Sequence, residues 1–187
     1  MEALLGEIAR ARHHIHLQYY IFCDDETGRR LRDALVEKAR QGVHVRILYD
    51  DVGCSGVSKS FFEGMRREGI EVHAFLHVKF PRFTSKVNYR NHRKIVVIDG
   101  RVGFIGGMNI ADRYVRGTEW GSWRDTHFRI EGSGVAGLQV AFLSDWSATT
   151  KRHVSGSEYF PAAQRYTDNI LQIVAGGPLG KWRALLQ

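Results

Sequence analysis

The amino-acid sequence predicts an α/β fold in which a mixed, largely parallel sheet is flanked by helices on both faces. Helical and strand patterns alternate from Leu4 to Leu76, and glycines and polar turns separate them. The chain has 187 residues, of which 43% are hydrophobic, and this is enough to bury one core. Strands that are joined through helices pair in parallel, because the crossover returns the chain to its starting edge.

Three helices, each followed by a strand, are predicted in the first part of the chain. Ser58 or Ser60 can cap the third helix, and Gly42 and Gly69 can end the second and third. The predicted helices cover 4–11, 31–39 and 58–67, and the predicted strands cover 15–22, 43–49 and 70–76.

A tight hairpin is predicted next, at Asp99-Gly100, a dipeptide that suits the positive φ angles of such turns. The later predicted strands cover 94–99, 101–105 and 126–130, and the later predicted helices begin at Ile110 and cover 135–146. Beyond Thr149 the alternation stops. We therefore expect one domain over residues 1–150 and a connector over residues 151–187.

Composition limits the classes of protein and partner. A net charge of +7 favours an anionic partner, either phospholipid headgroups or nucleic acid. With 11% aromatic residues and 3 prolines, the chain does not have the composition of a disordered one. No apolar run approaches the roughly 20 residues that cross a bilayer, and the start does not read as a secretory signal. Cys23 and Cys54 form no CxxC pair, so we expect free thiols in a reducing compartment.

The richest stretch for chemistry is 91–109. His92 and Lys94 are two residues apart at the head of a predicted strand, so both side chains leave on one face and can converge on one anion. An imidazole can attack phosphorus, and an ammonium can hold its oxygens. Asn109 adds an amide donor before a predicted helix, while Gly106 and Gly107 let the backbone approach a phosphate closely.

These residues form the pattern His-x-Lys-x4-Asp-x6-Gly-Gly-x-Asn, which resembles the signature of the phospholipase D superfamily. The segments 16–22, 88–94 and 123–127 resemble the first half of bacterial cardiolipin synthases. The resemblance implies a phospholipase D-like fold and transfer of a phosphatidyl group between phosphatidylglycerol molecules. It also implies a phosphohistidine on His92, with Lys94 and Asn109 on phosphate oxygens and Asp99 completing the motif. No cofactor or metal is expected.

A carboxylate downstream of the motif orients the histidine in this family, and Asp125 is our candidate for that role. Glu119 is the competing candidate. Asp99 stands at the far end of the predicted strand, so its catalytic assignment rests on the motif alone. Its position beside a turn equally fits a role in stabilising that turn.

Relatives of this kind build each active site from two motifs, and this sequence has one. We therefore expect a second phospholipase D-like half, either in the same polypeptide beyond Gln187 or in a homodimer. The resemblance places the protein on the cytoplasmic face of the bacterial inner membrane, where it would be peripheral. Two alternatives stay open: a phosphodiesterase or endonuclease with the same chemistry, and an inactive half that binds lipid or nucleic acid.

Other polar clusters are weaker candidates. His13, His14 and His16 have no nearby ligand set that would complete a metal site. The acidic pairs 24–25 and 50–51 adjoin glycines, as turn and cap residues do. Basic and aromatic residues interleave over 79–90, which suits nucleic acid, a lipid interface or a loop held by its aromatic side chains.

Overall fold

A computed structural model describes residues 1–75, 90–119, 121–163 and 169–176. Helices within this part are α1 (Glu2–Arg10), α2 (Glu26–Arg40), α3 (Lys59–Arg67), α4 (Asp112–Arg116) and α5 (Gly134–Thr150). Strands are β1 (His14–Tyr19), β2 (His44–Asp50), β3 (Glu71–Phe75), β4 (Ile95–Ile98), β5 (Val102–Gly106) and β6 (His127–Glu131). Each predicted element is present, although the helix expected from Ile110 begins at Asp112 and has only 5 residues.

Local signals account for the element boundaries. Asp25 caps α2, because its Oδ1 accepts a hydrogen bond from the Gly28 N–H at 2.9 Å. Ser58, of the two serines that could cap α3, takes that position and accepts from the Ser60 N–H. Gly42 lies just beyond α2 at φ 88°, a value that favours glycine.

The six strands form one sheet in the order β3-β2-β1-β4-β5-β6. Parallel pairing joins β1 to β2 and β2 to β3. Antiparallel pairing joins β1 to β4, β4 to β5 and β5 to β6. The mixed sheet is confirmed, but the parallel pairing that the alternating pattern predicts is confined to its first three strands.

Helices cover both faces of the sheet. On one face the apolar side chains of α1, α2 and α3 share a core with Ile15 and Leu17 of β1. On the other face α5 packs against β4 through Val135 and Leu138. Gly103 of β5 gives α5 room to approach, because a Cβ there would lie 2.7 Å from a Leu138 methyl carbon. Helix α5 is thereby held close to β4 and β5.

Central strand β1 carries a polar layer on its α5 side. His14 Nε2 lies 3.0 Å from Gln139 Oε1, and Gln139 Nε2 lies 2.8 Å from His16 Nδ1. Arg46 Nη1 lies 3.2 Å from His16 Nε2 and donates to the Tyr159 hydroxyl at 3.3 Å. Burial lowers the pKa of His14 to about 4 and that of His16 well below its usual range. These histidines are therefore neutral parts of the core.

Some sequence predictions concern residues that the structure does not describe. The basic and aromatic residues from Lys79 to Tyr89 lie outside them. The buried Tyr159 contacts the rings of His14 and His16, so the 151–187 segment begins by packing on the domain. Its role as a connector stays a prediction. Across the described ranges, no helix is both long and apolar enough to cross a bilayer.

Candidate active site

His92 stands just before β4 and is exposed. Its imidazole stacks on the ring of Tyr20, with centroids 4.1 Å apart and planes 16° from parallel. Among the described residues, no hydrogen-bond partner is found for the imidazole nitrogens. Within this part of the chain the ring is thus held by its face.

Lys94 lies on the same side of the chain as His92. Its Nζ donates to the His92 carbonyl oxygen at 2.7 Å and stands 5.7 Å from the centroid of the Tyr20 ring. Partial burial lowers the pKa of Lys94, and the negative charge of Asp125 opposes that effect. The His92 imidazole and the Lys94 ammonium both lie against the Tyr20 ring. Their predicted convergence on one anion stays a prediction.

Asp125 belongs to the same cluster but does not bind His92 directly. Its Oδ2 accepts from the Trp123 indole N–H at 2.6 Å, and its carboxylate lies against Gly107, where a Cβ would be 2.1 Å from Oδ1. No hydrogen bond joins Asp125 to His92 in the part of the chain that the structure describes. Glu119 is exposed. The orienting role of Asp125 stays a prediction.

The predicted phosphate-binding groups at the end of β5 are engaged by the protein itself. The Gly107 N–H donates to the Thr126 carbonyl at 2.9 Å, and Gly106 packs so closely that a Cβ would lie 2.3 Å from the same oxygen. Asn109 is buried, with its Oδ1 accepting from the Ile21 N–H at 3.1 Å. Phosphate binding by Gly106 and Gly107 stays a prediction, and their observed role is close packing of β5 on the segment before β6.

Asn109 also donates from Nδ2 to the Tyr114 hydroxyl at 2.8 Å. Phosphate binding by Asn109 therefore stays a prediction, and its observed contacts are with the protein itself. The five-residue helix α4 begins at Asp112, three residues beyond Asn109. A helix N-terminus directly after Asn109, as the sequence predicts, is therefore not present.

Asp99 lies at the opposite end of β4 from His92. It sits at φ 52° in the β4–β5 turn and accepts hydrogen bonds from the backbone N–H groups of Arg12, His13 and His14 at 2.8 to 2.9 Å. Within the described residues no hydrogen bond or ion pair joins it to His92 or Lys94. The structure therefore gives Asp99 the turn-stabilising role that the sequence left open.

Two nearby residues were not identified from the sequence. Tyr20 lies in the segment 16–22, but nothing in its spacing relates it to His92. His127 begins β6, and burial lowers its pKa to about 4. Its Nδ1 is buried and has no hydrogen-bond partner among the residues that the structure describes. Both are brought to the site by strand pairing across the sheet, which local sequence patterns do not encode.

A cavity of about 280 Å³ opens at the site. Its lining includes His92, Lys94 and Gly106 together with apolar side chains of α5 and of the 173–176 segment. In the described residues no cluster of three or more His, Cys, Asp or Glu side chains could hold a metal ion. The arrangement places an imidazole and an ammonium group beside an apolar wall.

Known proteins are similar to this chain in sequence and in fold. The family model for the cardiolipin synthase, PLD-like domain matches residues 4–126. Cardiolipin synthase 2 of Bacillus cereus is 46% identical over 186 residues, covering 98% of this chain and 36% of that protein. Cardiolipin synthase of Geobacillus thermodenitrificans is 46% identical over 188 residues, covering 99% of this chain and 38% of that protein. The chain therefore spans little more than a third of the curated relatives it matches.

A solved structure supports the fold assignment. Nuc of Salmonella typhimurium, described as a phospholipase D family member, superposes with a TM-score of 0.58 at 16% identity. The match covers 82% of this chain and 90% of Nuc. At this identity the likeness concerns the fold alone. Together with the family match over residues 4–126, these findings show that the chain belongs to the family of cardiolipin synthase, PLD-like domains.

Proposed function

We propose that this chain supplies one half of the active site of a cardiolipin synthase-like phosphatidyltransferase. The supporting observation is the exposed His92 imidazole beside Lys94, at the mouth of a cavity with apolar walls. Membership in the cardiolipin synthase family and relatives at 46% identity agree with this activity. The donor and acceptor would be two phosphatidylglycerol molecules.

The reaction balances as two displacements at phosphorus. An imidazole nitrogen of His92 forms the N–P bond while the P–O bond to the glycerol headgroup breaks, and glycerol leaves with a proton from a general acid. The hydroxyl of a second phosphatidylglycerol then attacks phosphorus and loses its proton, the N–P bond breaks, and cardiolipin forms. Lys94 would stabilise the charge on the nonbridging oxygens in both steps.

The apolar cavity wall favours a lipid over a polynucleotide substrate. Leu138 and Ile173 line it together with His92 and Lys94, which suits a phosphodiester that carries acyl chains. The net charge of +7 favours an anionic membrane surface. The resemblance to cardiolipin synthases implies action at the cytoplasmic face of the bacterial inner membrane, and the protein would be bound to that surface through this domain.

The leaving group requires an acid that His92 cannot supply while it is bonded to phosphorus. We expect a second phospholipase D-like half to supply it, either from the same polypeptide or from another copy of this chain. In a two-copy arrangement, turnover per chain rises with protein concentration, because only the dimer holds both histidines.

The test is detection of the covalent intermediate together with turnover. The chain is incubated with phosphatidylglycerol vesicles over a range of protein concentrations, cardiolipin and glycerol are quantified, and the His92 peptide is examined by mass spectrometry for a phosphatidyl adduct. We expect His92→Ala to abolish the adduct and lower turnover by roughly 10³-fold or more. Lys94→Ala should lower turnover and also weaken binding to the anionic substrate.

The control is His153→Ala, which removes an exposed histidine after α5 and should leave turnover unchanged. Full turnover in His92→Ala would refute the proposal. Hydrolysis of DNA without lipid transfer would favour the phosphodiesterase alternative. Vesicle binding without an adduct at any concentration would favour an inactive binding half.

A further inference from the structure

Asp145 of α5 is bonded to both neighbours of His92. Its Oδ2 accepts from Gln18 Nε2 at 2.6 Å and from Asn91 Nδ2 at 2.7 Å, and Arg93 Nη1 donates to the same oxygen. The Asp145 side chain is 13% exposed, so little water competes for these bonds. One carboxylate thus ties residues 91 and 93 to helix α5 and to strand β1.

Asn91 closes a turn around His92. Its Oδ1 accepts from the Arg93 N–H at 3.0 Å, while its Nδ2 is held by Asp145. Asn91 is 6% exposed, whereas the next residue, His92, is exposed. The exposed imidazole of His92 therefore lies between two residues, Asn91 and Arg93, whose side chains are both hydrogen-bonded to Asp145.

Few other contacts fix the direction of the imidazole. Within the described residues its nitrogens lack hydrogen-bond partners, and its ring contact is the stack on Tyr20. A face-to-face stack restrains distance and tilt but permits sliding. The position of the ring therefore depends on the backbone of residues 91–93. Asp145 holds this segment through its side chains, while Asp50 Oδ2 accepts from the Asn91 N–H at 3.4 Å and Lys94 Nζ donates to the His92 carbonyl oxygen.

We propose that Asp145 is a positioning residue, which fixes the 91–93 segment and so aims the His92 imidazole at the substrate phosphorus. The carboxylate pairs with the Arg93 cation and satisfies the buried Asn91 amide, and removing it would leave both groups without that partner. A displacement of a reacting group by about 1 Å can lower the rate on the order of 10²-fold. The catalytic consequence rests on the proposed function, whereas the positional effect can be measured without turnover.

The positional test uses the Tyr20 ring as an internal probe. Because that ring lies 4.1 Å from the imidazole and nearly parallel to it, its ring current shifts the carbon-bound imidazole protons of His92 upfield in NMR spectra. We expect Asp145→Ala to remove most of this shift. Tyr20→Leu gives the value without ring current, and Asp33→Ala, which removes an exposed carboxylate from α2, is the matched control that should change nothing.

The kinetic test separates placement from binding. With phosphatidylglycerol vesicles, Asp145→Ala is expected to lower kcat about 10- to 100-fold and to leave KM within about twofold, because Asp145 lies behind the groups that meet the substrate. Asn91→Ala should have a similar effect. If Asp145 acts through Asn91, the double variant should be no slower than the slower single variant.

The outcomes distinguish this inference from the proposed function. A folded Asp145→Ala chain with the wild-type His92 shift would overturn the positioning role. If that variant melts below the measuring temperature, Asn91→Ser takes its place, with the same expected loss of shift and the same overturning result. If the shift moves as expected but the wild-type chain forms no phosphatidyl adduct on His92 at any protein concentration, the proposed function fails and the positioning inference stands.

Discussion

Asp99→Ala is expected to destabilise the fold while leaving the chemistry at His92 intact. Asp99 Oδ1 accepts from the backbone N–H groups of His13 and His14 at 2.8 and 2.9 Å, and Oδ2 accepts from Arg12 at 2.9 Å. These bonds tie the segment before β1 to the β4–β5 turn. They lie at the end of the sheet away from His92, so their loss does not displace the nucleophile.

The magnitude follows from the bonds and the backbone. Hydrogen bonds to a charged acceptor contribute about 1.5–3 kcal/mol each, and water can replace the carboxylate at the exposed Arg12 N–H. Alanine at φ 52° adds a cost of about 1 kcal/mol. The two remaining bonds and the backbone cost together predict a loss of about 4–7 kcal/mol in the free energy of unfolding, which lowers Tm by roughly 8–28 °C for a chain of this size.

Asp99→Asn should have a smaller effect. Asparagine tolerates the positive φ, and one amide oxygen can keep the bonds to His13 and His14, so the expected loss is about 1–2 kcal/mol. Asp33→Asn is the matched control: its side chain is 66% exposed and paired with the adjacent Arg32, so the loss should stay below about 1 kcal/mol. Urea and thermal unfolding measure all three variants.

Two results would refute this reasoning. The first is an Asp99→Ala chain that melts with the wild-type midpoint. The second is an Asp99→Asn chain that keeps its stability but loses phosphatidyl transfer at a temperature where it is folded, which would make Asp99 catalytic. The expected result is reduced stability with wild-type activity per folded molecule.

Two further predictions concern ionisable groups. Stability should fall as pH drops from 6.5 towards 4, because burial lowers the pKa of His14 to about 4. Over that range the unfolded chain binds a proton that the folded chain does not. The loss in the free energy of unfolding approaches roughly 3 kcal/mol at pH 4. Urea unfolding of His14→Asn across that range should show a shallower dependence, and an unchanged slope would contradict the assignment. Asp125→Asn should lower the pKa of Lys94 further and move the alkaline limb of turnover to lower pH, while Glu119→Gln leaves it in place. If the alkaline limb of turnover moves only in Glu119→Gln, Glu119 and not Asp125 is the carboxylate that raises the pKa of Lys94.

The sequence by itself determined the order of elements and the placement of His92 and Lys94 beside one another. Helix caps such as Asp25 and Ser58 bond to backbone N–H groups only a few residues away, so they can be predicted from the local sequence. The spacing of His92 and Lys94 is equally local, because side chains two residues apart in extended backbone leave on one face. The motif that relates the chain to its family consists of such short-range spacings.

Only the tertiary structure decided how the strands join and which polar groups meet. The antiparallel pairing of β4 with β1 places Tyr20 under His92, although the two residues are 72 positions apart in the chain. The same pairing carries Asp99 to the backbone of residues 12–14, which explains a role that the motif does not reveal. Asp145 reaches Asn91 because α5 packs on the face of the sheet opposite α1, α2 and α3. These contacts depend on burial and strand order across the whole domain, whereas sequence periodicity reports the structure of one segment at a time.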